Sequence, residues 1–103
     1  MVLIPMTYNI VLKEEANEDL STLSHNQKIL IFKQFEKLKT SPQLGINLGK
    51  KVGYDLSGYK KMYANKKQLR IVYKVIENKI IVEVIAIGKR DDLEIYKKAS
   101  KRV

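Results

Sequence analysis

Apolar residues recur along this chain in two rhythms, one helical and one strand-like, and the switch between them divides it near its middle. Tyr8 to Leu12 is a short, partly β-branched apolar run, the pattern of a strand. From Glu14 to Leu23, Ala16, Leu20 and Leu23 stand at i, i+4 and i+7, which is one face of a short helix. Ile31, Phe35 and Leu38 repeat that spacing in a second helix reaching about Lys39, with Ser24 or Asn26 able to cap its start. Thr40-Ser41-Pro42 ends it, because proline disfavours helical geometry in the residue before it. Two antiparallel helices joined by a tight turn are therefore predicted for the front half.

Between Gly45 and Gly58 the rhythm is lost, with Gly49 and Gly53 as further punctuation, although Tyr54-Asp55-Leu56 can begin a strand. A period of two then takes over. Tyr59 to Ala64 reads as a strand and Asn65-Lys66-Lys67 as a hairpin loop. Leu69 to Glu77 alternates Leu69, Ile71, Tyr73 and Val75 against Arg70, Val72, Lys74 and Ile76. Asn78-Lys79 reads as a two-residue turn lacking the favoured glycine at its second position. Ile80 to Ile87 is apolar on both faces apart from Glu83, as a central strand should be. Asp91 or Asp92 then caps a last helix holding Tyr96 and Lys97-Lys98. This order predicts an α+β fold in one domain spanning 1–103. Its sheet is four-stranded and mostly antiparallel, with the helices gathered on one side: an N-terminal hairpin on one face and a short C-terminal helix.

Composition narrows the function. A chain of 103 residues supports one core. No stretch approaches the roughly 20 apolar residues of a membrane span. Met1 to Met6 lacks a basic leader and is broken by Pro5, so it makes a poor signal peptide. Without cysteine there is no disulfide framework, thiol nucleophile or zinc knuckle, and a cytoplasmic protein is expected. Twenty Lys and Arg against eleven Asp and Glu give a net charge of +9. Such a basic domain usually meets a polyanion or an acidic protein, a solvated lysine-rich surface being the plainer alternative.

Few residues remain for chemistry. His25 stands alone, so a metal site or a histidine-based triad is not expected. No glycine-rich nucleotide loop is present. Glu14-Glu15 and Asp91-Asp92 fall at helix starts, where carboxylates complement the macrodipole. What is left is basic and phenolic: Lys60, Lys61, Arg70, Lys89, Arg90 and Tyr96, with Tyr59 and Tyr63 nearby. Arg70 lies mid-strand among apolar neighbours, where a cation must be paired or face a solvated groove.

Leu56-Ser57-Gly58-Tyr59-Lys60-Lys61-Met62, then LRIVYKVIE, then VIAIGKRDDLEIYKKASKR, resembles the RelE branch of the RelE/ParE toxin superfamily. The similarity covers nearly the whole chain, including the helix pair and the Ser41-Pro42 break, and GKR-x(5)-Y after an R-[IL]-V-Y strand is its specific part. It implies a type II toxin that cuts messenger RNA in the ribosomal A site, without metal or cofactor, and is neutralised by a RelB-like antitoxin. It matches Lys60 to the family lysine after the strand tyrosine and Arg70 to the phosphate-gripping arginine. Arg90 matches the second active-site arginine and Tyr96 the C-terminal tyrosine. Met62 stands where RelE has a second lysine. Lys61, Lys66, Lys67 and Lys89 are expected to contact RNA, Lys61 from the strand face opposite Lys60. Tyr96 is expected to act as general base, its phenolate favoured by flanking cations. Lys60 and Arg70 would neutralise phosphate charge, and Arg90 would hold the phosphate or serve as a weak acid. A ParE-like inhibitor of DNA gyrase and a catalytically weakened, antitoxin-binding regulatory module remain open alternatives.

Overall fold

A computed structural model describes residues 7–51, 53–89 and 92–103. The expectations placed on Met1–Met6, Arg90 and Asp91 lie outside the described residues. The elements run β1 (Asn9–Leu12), α1 (Glu14–Ser21), α2 (His25–Thr40), β2 (Ile46–Lys51), β3 (Tyr54–Ala64), β4 (Leu69–Ile76), β5 (Ile81–Lys89) and α3 (Asp92–Ser100). Between Ser24 and Asn26, the cap is Ser24. Its hydroxyl accepts from the Gln27 amide at 3.2 Å while the Gln27 side chain accepts from the Ser24 amide at 2.9 Å. Such a capping box stabilises a helix start by about 1 kcal/mol.

The sheet has five strands rather than four, in the order β1-β5-β4-β3-β2, with β1 parallel to β5 and every other pairing antiparallel. The added strand is β2, from the segment read as loose. Its pairing with β3 slips between Asn47 and Gly49, and Gly49 takes a φ of +60°. That irregularity erases the period of two from the sequence. The expected turn at Asn78-Lys79 is instead a 3₁₀ turn over Glu77–Lys79, closed by Ile80 in the left-handed region at φ +56°.

The helices do not share one side of the sheet. Ala16, Leu20, Ile31, Phe35 and Leu38 of α1 and α2 pack on the face carrying Leu69, Ile71, Tyr73, Val82 and Val84. Ile95, Tyr96 and Ala99 of α3 pack on the opposite face against Leu56, Val72, Ile85 and Ala86. The apolar faces of β4 and β5 require this, because a strand apolar on both sides must be covered on both. At Gly88 an added Cβ would fall 2.7 Å from Ile95 Cδ1, so the missing side chain lets α3 lie close on β5.

Asp19 ties α3 down at its far end. β1 stops at Leu12 opposite Val84, and beyond it the Ile87 amide donates to Asp19 Oδ2 at 3.0 Å. The same carboxylate accepts from Arg102 at 2.6 Å and Lys98 at 2.9 Å. Burial pushes the Asp19 carboxyl up, and the Arg102, Ile87 and Lys98 contacts more than offset it, leaving it below the usual carboxylate range. No helix among the described residues is long and apolar enough to cross a membrane.

Candidate active site

Strand alternation decides which basic residues meet. On β3, Met62 and Ala64 pack with the α1–α2 core, whereas Tyr59 packs with the α3 side. Lys60 shares the parity of Met62 and reaches Asn47 Oδ1 at 2.7 Å. Lys61 shares the parity of Tyr59 and Tyr63 and comes up beneath α3. Arg70 is placed on that same face by register, since Tyr63 pairs with Arg70 and Arg70 with Gly88. One row of the sheet thus carries Tyr63, Arg70 and Gly88, and the next carries Lys61, Val72 and Ala86.

Lys61 is only 6% exposed and Arg70 8%, so each cation must find partners. The Lys61 ammonium donates to the Tyr63 hydroxyl at 2.8 Å and to the Tyr96 hydroxyl at 2.8 Å, and sits 3.4 Å from Asp92 Oδ1. Its three protons match these three acceptors. Arg70 Nε donates to the same Asp92 oxygen, and its Nη1 donates to the Lys67 carbonyl at 3.1 Å. The Tyr63 ring lies under three cations, with Lys61 Nζ at 4.6 Å, Arg70 Cζ at 5.3 Å and Lys67 Nζ at 5.6 Å from its centroid. Lys67 is brought over by a hairpin turn in which Asn65, Lys66 and Lys67 all have positive φ. Three successive left-handed residues of this kind are costly, and each adds roughly 1 kcal/mol of strain.

Burial alone would lower the Lys61 ammonium, but the Tyr63 and Tyr96 hydroxyls and the Asp92 charge outweigh it and raise it above the usual lysine value. Asp92 is raised by burial and lowered more by Arg70 and Lys61, so it stays ionised. The site therefore holds two nearly buried cations, two phenols and one carboxylate beneath α3. Arginine and lysine fixed on adjacent strands suit a phosphodiester, and a phenol bound to an ammonium suits proton transfer.

Of the residues singled out from the sequence, Arg70, Tyr96, Lys61 and Lys67 come together. Lys60 does not join them, because it faces the helical hairpin. Lys66 is exposed at the hairpin turn, and Lys89 is exposed at the end of β5, beside a cavity of about 130 Å³ lined by Gly88, Glu94, Ile95 and Lys98. Met62, which raised the question of a missing lysine, faces the core rather than the site. Tyr63 is singled out from the sequence only as a phenol near the basic residues, and Asp92 only as a helix cap. Alternation from Tyr59 and the register across the Asn65–Gln68 turn were the available signals for Tyr63.

A basic α+β toxin fold is what this architecture matches. A double arginine-to-alanine mutant of the E. coli toxin RelE, solved in the free state, superimposes with a TM-score of 0.74 at 28% identity, covering 95% of this chain and 99% of that one. The intact E. coli RelBE toxin–antitoxin complex contains a chain matching with a TM-score of 0.66 at 25% identity, over 82% of this chain and 98% of that one. In sequence, the mRNA interferase toxin RelE of E. coli K12 is 30% identical over 104 residues, covering 95% of this chain and 99% of the relative. No protein-family model matches the chain. The chain belongs to the RelE toxin family.

Proposed function

We propose that this protein is the toxin of a type II toxin–antitoxin pair, a metal-independent endoribonuclease that cuts messenger RNA in the ribosomal A site and so stops translation. The observation that carries the reading is the Lys61 ammonium bonded to the Tyr96 hydroxyl one sheet row away from Arg70. RNA brings its own nucleophile, the ribose 2′-hydroxyl, so the protein needs only to align it, take its proton and stabilise the crowded phosphorane. Tyr96 is the general base. Lys61 holds the Tyr96 oxygen and meets the negative charge that gathers there and on the phosphate. Arg70 grips a non-bridging phosphate oxygen, whose place the Asp92 carboxylate takes in the free protein. Arg90 is assigned to the phosphate on the family resemblance alone. Each such charge contact is worth on the order of 3 kcal/mol in the transition state, roughly a hundredfold in rate.

Relatives support a protein partner, because E. coli RelE is known in complex with RelB and with an antitoxin RelBc peptide. A cognate RelB-like antitoxin, acidic enough to meet a net charge of +9, is the proposed neutralising chain. Half-buried Lys60 and exposed Lys66 and Lys89 are proposed to grip ribosomal RNA, which makes binding strongly salt-dependent.

The test is the chemistry of the cut ends. Messenger bound to programmed ribosomes should yield a 2′,3′-cyclic phosphate and a 5′-hydroxyl. A single 2′-deoxynucleotide at the mapped position should abolish cleavage. Equal cutting of the deoxy-substituted messenger would refute 2′-hydroxyl attack. Inhibition of gyrase supercoiling with no RNA cleavage would replace the reading with a ParE-like one.

A further inference from the structure

Two phenols, not one, are bound to Lys61. Both lie 2.8 Å from the same nitrogen, so their oxygens are no farther apart than two hydrogen bonds laid end to end. That spacing suits a reaction in which one proton leaves and another arrives on opposite sides of a single phosphorus. Resting on the ribonuclease reading above, we propose that Tyr63 is the general acid that protonates the departing 5′-oxygen, paired through Lys61 with Tyr96 as the base.

The alternatives in the described site suit the task less well. A guanidinium such as that of Arg70 does not give up its proton under protein conditions. The Lys61 ammonium is held by three acceptors, and those contacts oppose its deprotonation. Asp92 is ionised and has no proton to give. A phenol has the lowest ordinary pKa among the remaining donors. Tyr63 accepts from Lys61, which leaves its own hydroxyl proton for another acceptor, and the half-buried ring keeps an open side. Three cations over the ring face fix its orientation.

The step balances. The ionised Tyr96 oxygen takes the 2′-hydroxyl proton as the 2′-oxygen bonds to phosphorus. The bond from phosphorus to the 5′-oxygen breaks, and the Tyr63 proton moves to that oxygen. The products are a 2′,3′-cyclic phosphate and a 5′-hydroxyl, with Tyr96 protonated and Tyr63 ionised. Between turnovers Tyr63 regains a proton from solvent and Tyr96 loses one to it, restoring the starting site while Lys61 stays an ammonium bonded to both oxygens.

A leaving-group substitution tests this. Sulfur in place of the bridging 5′-oxygen departs without protonation, so it removes the need for an acid. Tyr63→Phe should cut the natural linkage roughly a hundredfold more slowly than wild type. On a messenger with a 5′-bridging sulfur at the mapped site, in programmed ribosomes, it should regain the wild-type rate. Tyr96→Phe should stay slow on both linkages. Tyr63→His, which restores a proton donor, should recover part of the rate on the natural linkage. Equal slowing of Tyr63→Phe on both linkages, or no slowing on either, would overturn the acid assignment while leaving the ribonuclease reading intact. Failure of the wild-type protein to cut either linkage would overturn both.

Discussion

Lys61 and Tyr96 stand 35 positions apart in sequence, yet the ammonium of one donates to the hydroxyl of the other at 2.8 Å. The contact exists because α3 crosses the sheet face opposite the helical hairpin, above the odd-numbered side chains of β3 that follow Gly58. Everything proposed for the chemistry depends on that crossing.

The two adjacent lysines therefore separate cleanly. Lys61→Met should lower the single-turnover cleavage rate by roughly 10²- to 10³-fold, since it removes the group that touches both phenols. Lys60→Met should leave that single-turnover rate near wild type and affect chiefly ribosome binding, because its side chain bonds Asn47 on the other face. Rapid-quench kinetics at saturating ribosomes distinguishes the two. The opposite ranking would show that the strand parity is misassigned.

Asp92 occupies the anion position between Arg70 and Lys61. Asp92→Asn should tighten binding of short single-stranded RNA and steepen the fall of log K with log salt by about 0.7, one phosphate contact for a single strand. Fluorescence anisotropy from low to moderate salt reads both changes. Weaker binding by the variant would mean that the carboxylate organises the cations rather than competing for them.

The Asp19 network gives a pH signature. Its carboxyl is lowered in the folded protein, so its contribution is fully present above the unfolded-state value near 4 and is lost as pH falls through the lower folded-state value. Asp19→Asn should cost about 2–4 kcal/mol at pH 7, since it weakens the Ile87, Lys98 and Arg102 contacts together. The difference from wild type should be smaller at an acid pH below about 4 than at pH 7, and should keep shrinking as pH falls through the lower folded-state value. Urea melts at the two pH values measure this, and a difference independent of pH would contradict the linkage.

Gly45 marks a close approach behind the site. An added Cβ there would meet the Tyr73 hydroxyl at 2.5 Å and the Lys61 carbonyl oxygen at 2.9 Å. The Tyr73 hydroxyl accepts from the Gly45 amide at 2.8 Å and donates to the Pro42 carbonyl at 2.9 Å, tying the connection between α2 and β2 to β4. Gly45→Ala should destabilise the protein by about 1–3 kcal/mol through this overpacking. Denaturant unfolding with an unchanged m-value would record it, whereas wild-type stability would contradict the packing.

Much of this was legible in the chain. Ala16, Leu20, Ile31, Phe35 and Leu38 announced both hairpin helices, and Arg70 and Tyr96 were recognisable as a chemical pair. Lys60 lies away from the cluster for a local reason. Gly58, at φ +87°, breaks the alternation, so Leu56 and Tyr59 lie on one face although their parities differ. Counting instead from apolar Met62 and Ala64 places Lys61 and Tyr63 on the site face. Strand β2 stayed hidden because its pairing slips at Gly49. The placement of α3 was implicit in the two-sided apolar pattern of Ile80 to Ile87, which one layer of helices cannot cover.

The most direct test of the central claim is primer extension on a defined messenger in a purified translation mixture, with and without ribosomes, comparing wild type with Tyr96→Phe and Lys61→Met. Discrete cuts in the A-site codon that require ribosomes and disappear in both variants are expected. Cleavage of equal strength in the two variants, or its absence in wild type, would contradict a ribonuclease site built on Lys61 and Tyr96.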